Sequence, residues 1–378
     1  MNIFSYVKTY GNKSFKEIPF NDIDSLVFCS LSYVHFDLVM EGFSHRFRSN
    51  KYKICDLLNL EYAPDLTEYD LVHQTVLVEK SLFKLLPLIK ASKRFGDIEI
   101  GYLESMLDVD YESQFFALTF FLDDGTMFVA YRGTDDSLIG WKEDLNMAHQ
   151  SIVPGQIKAG IYVNSVLKFE GDKKYYIGGH SKGGNFAYFA ANMVNDKYFD
   201  NLIKVFDHDG PGFKSPEIIF KQERKLLVDT KSIKTMPHAS IVGSLLHHDI
   251  ETKIIKSRQI SLLQHDLFSW CINPKTLTLV YLTKRSLVSK VNEEAVKKLL
   301  KEMTDEDIKL VSDCLLDLLG GCNMSLFDIL RYPLATIKYW RKKYHNYPEE
   351  KRHKIYAFIS TLGKSWYNAM LSAIRNKN

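Results

Sequence analysis

Apolar and polar positions along the chain change period several times. In residues 20–105 apolar residues recur at helical spacing, as in Asn21-Asp-Ile-Asp-Ser-Leu-Val-Phe-Cys-Ser-Leu-Ser-Tyr33, between polar connectors. That pattern predicts a helical lead-in. Further on, short β-forming runs alternate with helical ones. Phe115–Phe121 and Phe128–Tyr131 flank Asp123-Asp-Gly125 and read as a hairpin. Tyr175–Ile177, Leu202–Phe206 and Lys253–Ser257 read as strands, and the Ala-rich run Asn185–Val194 reads as a helix. Strands alternating with helices predict an α/β fold with a mostly parallel central sheet flanked by helices. From Asn292 the pattern turns helical, with Thr304 and Asp307 spaced as a helix cap. The expected organisation is 1–105, helical lead-in and start of the core domain; 106–285, α/β core; 286–378, helical C-terminal region.

Composition supports a large core, since 46% of the 378 residues are apolar. No apolar run approaches the roughly 18 residues of a membrane span, and the N-terminus lacks the apolar stretch of a leader. Cys29, Cys55, Cys271, Cys314 and Cys322 are scattered, odd in number and without metal-ligand spacing. They are expected as free thiols in a reducing compartment, so the expected location is cytoplasmic. No metal and no cofactor is expected.

Charge is divided unevenly. Residues 331–378 hold eleven Lys/Arg against Glu349 and Glu350, a net +9, so the chain total of +3 leaves −6 for residues 1–330. In the same segment Ile355, Phe358, Ile359, Leu362, Trp366, Met370 and Ile374 form a stripe at helical spacing. A basic amphipathic helix with a Trp suits an anionic membrane surface, which would place the protein peripherally at the inner membrane face. The other reading docks the stripe on the core and leaves the basic face solvated. No base-reading motif is present, so no nucleic acid is expected.

The chemistry concentrates in Tyr175-Tyr-Ile-Gly-Gly-His-Ser-Lys-Gly-Gly-Asn185. Gly179-x-Ser181-x-Gly183 between a strand and a helix is the pattern of a nucleophile elbow. A Ser on such a sharp turn brings backbone segments close together, and glycines avoid a Cβ clash there. The following helix points its N-terminus at the site and favours negative charge. A Ser alcohol needs a base, and the base an orienting carboxylate. In this fold class the order is Ser, acid, His.

Among His180, His208, His238, His247, His248 and His265, the last is best placed, after the last strand-like run. Asp209 ends the strand 202–206 region just before Gly210-Pro-Gly212, and is the first candidate acid. Asp249 is the second, and Asp266 adjoins the base too closely to face it well. The backbone N–H of Lys182 would be one oxyanion donor. Thr134, in Arg132-Gly-Thr-Asp-Asp136, would supply the other through its N–H, with or without its hydroxyl; a plain loop is the alternative there.

Phe128-Val-Ala-Tyr-Arg-Gly-Thr-Asp-Asp-Ser-Leu-Ile-Gly-Trp-Lys-Glu-Asp-Leu-Asn-Met147, Gly179-His-Ser-Lys-Gly-Gly184 and Asp209-Gly-Pro-Gly-Phe213 resemble the Mbeg1-like (DUF2974) family, itself similar to class 3 lipases of the α/β-hydrolase superfamily. The resemblance runs from about Phe20 to Trp270, with a weaker continuation into the helical tail. It implies an α/β-hydrolase fold, with Arg132-Gly-Thr134 as an oxyanion loop. Two departures stand out. Class 3 lipases carry their acid in Asp-x-Val-Pro, whereas Met236-Pro-His-Ala-Ser-Ile-Val-Gly243 has no carboxylate, so the acid is expected at Asp209 instead. Lys182 stands where lipases often have Leu, and its side chain is expected in solvent or near the substrate entrance. The expected function is a serine hydrolase cleaving carboxylic esters through Ser181, His265 and Asp209 and an acyl-enzyme, with acyl lipids as the expected substrates, lipase- or phospholipase-like, and another small-molecule ester as the other choice. The alternative is a non-catalytic binding or membrane-associated module of the same fold.

Overall fold

A computed structural model describes residues 1–40, 51–59, 65–72, 78–320, 333–358, 360, 364 and 367. Eight strands cross one sheet in sequence order: β1 Lys51–Lys53, β2 Glu99–Asp108, β3 Ser113–Phe121, β4 Met127–Tyr131, β5 Tyr175–His180, β6 Leu202–His208, β7 Ser232–Pro237 and β8 Thr252–Ile255. The pairings from β1 to β4 are antiparallel and those from β4 to β8 parallel. This is the mostly parallel α/β sheet that the alternating pattern predicts. The hairpin at Asp123–Gly125 pairs Phe121 with Met127. β1 and most of β2 fall within residues 1–105, where the sequence pattern shows helices. The register of β2 shifts between Gly101 and Glu104, so its polar–apolar alternation is interrupted and the strand is hard to read.

Successive side chains of a strand point to opposite faces, and the core follows that rule. On β4, Phe128 and Ala130 join one apolar cluster, while Met127, Val129 and Tyr131 join another. The first cluster lies under the N-terminal helices α1 Ile3–Tyr10, α2 Asp22–Leu31 and α3 Glu79–Lys90, and it includes Leu267, Phe268 and Trp270. The second includes the buried faces of α5 Pro154–Glu170 and α6 Lys182–Met193. Between β4 and α5 lies α4 Leu138–Asn146; α7 Gln222–Lys231 links β6 to β7. The helical lead-in is therefore one of the two layers covering the sheet.

The C-terminal region contributes α8 Leu287–Glu302, α9 Asp305–Gly320 and α10 Pro333–His345, then helical residues 349–358. Thr304 and Asp307 cap α9 reciprocally, as their spacing predicts. α9 packs on α4. Part of the basic segment packs on α9: Lys343 pairs with Asp317 at 2.7 Å, Lys354 with Asp307 at 2.6 Å, and Ile355 is buried. Ile359, Leu362, Trp366, Met370 and Ile374 lie outside the described residues. Among the described residues no helix is long and apolar enough to cross a membrane. Cys29, Cys55, Cys271 and Cys314 are free thiols, and Cys322 lies outside the described residues.

Candidate active site

The register of the parallel strands brings the candidate residues to one edge. Tyr131 of β4 pairs with Gly179 of β5, His180 with His208 of β6, and His208 with Thr235 of β7. The segments that follow, beginning at Arg132, Ser181 and Asp209, and 238–243 beyond β7, therefore leave the sheet side by side. The carboxyl edge of parallel strands is where sites form in such folds. The Ser181 N–H donates to His208 O at 3.0 Å, which ties the turns after β5 and β6 together.

Ser181 sits between β5 and α6 with φ 59° and ψ −134°. A non-glycine residue rarely adopts this conformation, and surrounding structure must hold it there. Here it is held by close backbone contact. A Cβ at Gly179 would lie 2.1 Å from Gly183 O, and one at Gly183 would lie 2.2 Å from Tyr131 O. Lys182 opens α6, where an N–H has no intrahelical acceptor.

The Lys182 side chain is neither solvated nor at an entrance, contrary to the expectation from sequence. It is 1% exposed and reaches Glu143 at 3.0 Å and Gln114 Oε1 at 2.9 Å. Glu143 also accepts from Ser113 Oγ and from the N–H groups of Gln114 and Gly155. Desolvation works against the Lys182 charge, but Glu143 and Asp144 outweigh it and push its pKa up. The partners come from β3 and α4, distant in sequence, which is why residue type alone misled.

Thr134 is buried in the loop after β4 and donates its hydroxyl to Asp144 Oδ2 at 2.6 Å. That hydroxyl has one proton, so with this bond made the N–H is the donor left for a ligand. Asp144 was not singled out by sequence; it lies ten residues on, near the end of α4, with only that spacing as a signal. Burial raises its pKa to about 6, against the lowering effect of Lys182. Arg132 is buried too, and pins the loop to the N-terminal layer through Ser32 O at 2.6 Å and Val34 O at 2.9 Å.

His265 and Asp209 meet. His265 Nδ1 lies 2.7 Å from Asp209 Oδ2, with Asp209 fully buried and His265 9% exposed. A carboxylate only accepts, so Nδ1 carries a proton, and in the neutral ring Nε2 has the lone pair. The ring of His265 lies 4.5 Å from that of His180, the residue before Ser181. Asp249 is placed elsewhere: it pairs with His247 at 2.7 Å and with Lys225 at 3.0 Å, half-exposed. Asp266 caps a short turn at Phe268 N, and burial raises its pKa to about 6. His208 is buried between Ser25 and Thr235, its pKa lowered by burial to about 3. A cavity of about 500 Å³ lies between Phe213, Leu246 and helices α8 and α9; Ser181 and His265 do not line it. Among the described residues no group of His, Cys, Asp and Glu is arranged to hold a metal ion.

A sequence model described as Mbeg1-like matches residues 89–317, beginning later than the resemblance read from motifs and ending within its weaker continuation into the helical tail. No curated protein matches. Among solved structures, a native lipase–propeptide complex from Rhizomucor miehei is 18% identical, with TM-score 0.33, over 50% of this chain and 61% of that one. A fungal lipase–inhibitor complex is 16% identical, with TM-score 0.34, over 63% of this chain and 88% of that one. The alignment thus spans less than two thirds of the first lipase's length. At such values the likeness concerns the course of the chain alone.

Proposed function

The chain belongs to the Mbeg1-like family, and from that premise we propose that it is a serine hydrolase that cleaves carboxylic esters, with acyl lipids as the substrate class. The observation that carries the reading is the buried Asp209–His265 hydrogen bond of 2.7 Å, at the same sheet edge where Ser181 is held at φ 59°. Ser181 Oγ attacks the ester carbonyl and His265 Nε2 takes its proton. Asp209 holds the imidazole tautomer and stabilises the imidazolium. The N–H groups of Lys182 and Thr134 face the developing oxyanion. The tetrahedral intermediate collapses, His265 protonates the leaving alcohol, and an acyl-Ser181 ester remains. Water, activated by the same imidazole, releases the acid. The lipid assignment rests on family likeness, and the reaction class on the site.

A fluorophosphonate probe tests the reading directly. The folded protein is expected to form one adduct, at Ser181, and Ser181→Ala to form none while keeping its melting temperature. An unlabelled, folded wild type would instead support a non-catalytic module.

A further inference from the structure

We propose that Ser240 is a positioning residue for Asp209, and that the start of α8 holds it in place through Ser289. The kinetic consequence rests on the hydrolase reading; the geometry does not. Ser240 stands in the stretch 236–243, where the sequence lacks a carboxylate. Its hydroxyl donates to Asp209 Oδ1 at 2.6 Å, while Oδ2 takes the His265 proton. Each carboxylate oxygen thus has its own donor, and the plane of the group is fixed against rotation. Ser240 is 2% exposed and Asp209 is fully buried, so no solvent takes over if the donor is lost.

The surroundings prescribe the direction of that hydroxyl. The Gly243 N–H donates to Ser240 Oγ at 3.1 Å, which leaves the hydroxyl proton for Asp209. The loop closes tightly around the carboxylate: a Cβ at Gly243 would lie 2.1 Å from Asp209 Oδ1. Asp209 itself has φ 56°, a conformation that needs such support.

The support continues into the C-terminal region. Ser289 is 1% exposed and donates its hydroxyl to Ser240 O at 2.7 Å. Arg285 Nη2 donates to the same Ser289 hydroxyl at 2.8 Å, so the Ser289 proton points at Ser240. Arg285 is held by Glu293 on α8. Ser286 N donates to His238 O at 2.8 Å and fixes the start of α8 against the same loop. The result is a directional line of hydrogen bonds from α8 through Ser289 and Ser240 to Asp209 and the imidazole. Removing Ser240 leaves Asp209 free to rotate and concentrates its charge on His265. The other titratable groups around that ring, His180, Asp144 and Asp266, are not altered by the substitution.

The experiment compares wild type, Ser240→Ala, Ser240→Thr and Ser289→Ala. It reads the fluorophosphonate labelling rate against pH, and the downfield proton resonance of His265 Nδ1–H. Ser240→Ala is expected to slow labelling roughly tenfold, move the acid limb of the profile to higher pH, and shift the resonance. Ser240→Thr restores most of each, and Ser289→Ala moves all three in the same direction by less. A merely structural role would lower the melting temperature and leave the limb and the resonance in place. If Ser240→Ala does not fold, Ser289→Ala, which keeps the Ser240 hydroxyl, decides by the same readouts. A labelled wild type with an unmoved limb and resonance in the folded variants overturns the proposal. A wild type that folds but does not label, with a resonance that Ser240→Ala still shifts, sinks the hydrolase reading and leaves the positioning intact.

Discussion

The imidazole of His180 donates from Nε2 to the backbone carbonyl of His265 at 2.8 Å. The carbonyl cannot donate, so Nδ1 of His180 accepts from the Tyr33 hydroxyl at 3.0 Å. Burial lowers the His180 pKa well below its ordinary value, which keeps the ring neutral and this tautomer in place. The residue before Ser181 therefore holds the loop that presents His265. His180→Phe is expected to reduce the labelling rate of Ser181 by about tenfold or more, although His180 touches no substrate in the proposed reaction. An unchanged rate in a folded variant would remove His180 from the account.

Asp209→Asn replaces an acceptor by a group that can present the wrong face to Nδ1. Ester turnover is expected to fall by roughly four orders of magnitude, as when a serine protease loses its orienting carboxylate. Asp249→Asn should leave turnover within about twofold, because Asp249 meets His247 and Lys225 and not His265. Steady-state kinetics on a soluble short-chain ester checks both. Reversed effects would move the acid to Asp249.

Asp144→Asn should stabilise the protein at neutral pH. The folded carboxyl titrates at about 6 against an ordinary 3.8. A raised folded pKa gives stability that is present in full below the unfolded value and is lost as pH rises through the folded one. The uncharged Asn escapes that loss. The variant should match wild type below about pH 4 and exceed it by about 3 kcal/mol above pH 6. Urea melts at a series of pH values measure the difference. A difference that does not vary with pH would contradict the assignment.

Lys182→Met leaves Glu143 charged and buried beside an apolar neighbour, at a cost of about 3–5 kcal/mol. Adding Glu143→Gln should restore most of the stability. Turnover in the folded double variant is expected to stay within a few-fold of wild type, because the proposed reaction uses the Lys182 N–H and not the ammonium. Loss of turnover in a stable double variant would assign the side chain a direct part.

Truncation after residue 330 removes the partners of Asp317 and Asp307, together with the buried Ile355. A melting temperature lower by several degrees is expected. The membrane reading of residues 331–378 is a proposal with its own measurement: flotation on anionic vesicles that fades as salt rises and vanishes on truncation. Absence of flotation at low salt would leave only the docking role.

The juxtaposition of His265 with Asp209 was legible because it follows from chain order and local turn signals. Each residue closes or follows a strand-like run, and the parallel register does the rest. The two-layer core was legible in outline from the alternation of strands and helices. The surroundings of Lys182 were not, because Gln114 and Glu143 arrive from other elements. Asp144 and Ser240 were missed for a different reason. Short polar residues in loops have many local uses, and neither spacing nor type separates an orienting group from a turn former. β2 was obscured by its register shift.

The layer beneath the sheet has a consequence for how the chain is made. Phe4 stacks on Phe268 at 5.2 Å, and Ile3 and Tyr6 share a cluster with Leu267, Trp270 and Ile272. The earliest residues to be synthesised thus wait for partners more than 260 positions away. At roughly 5–20 residues per second that wait lasts from about ten seconds to most of a minute. During it the part of α1 that meets residues 267–272 is uncovered, although Tyr6 already has Asp24 and Phe95 as partners, and the segment bearing His265 does not yet exist. Contacts of such long sequence separation slow folding. Assembly of the site is therefore a late event, and a nascent chain stalled before residue 270 would be both inactive and prone to aggregate.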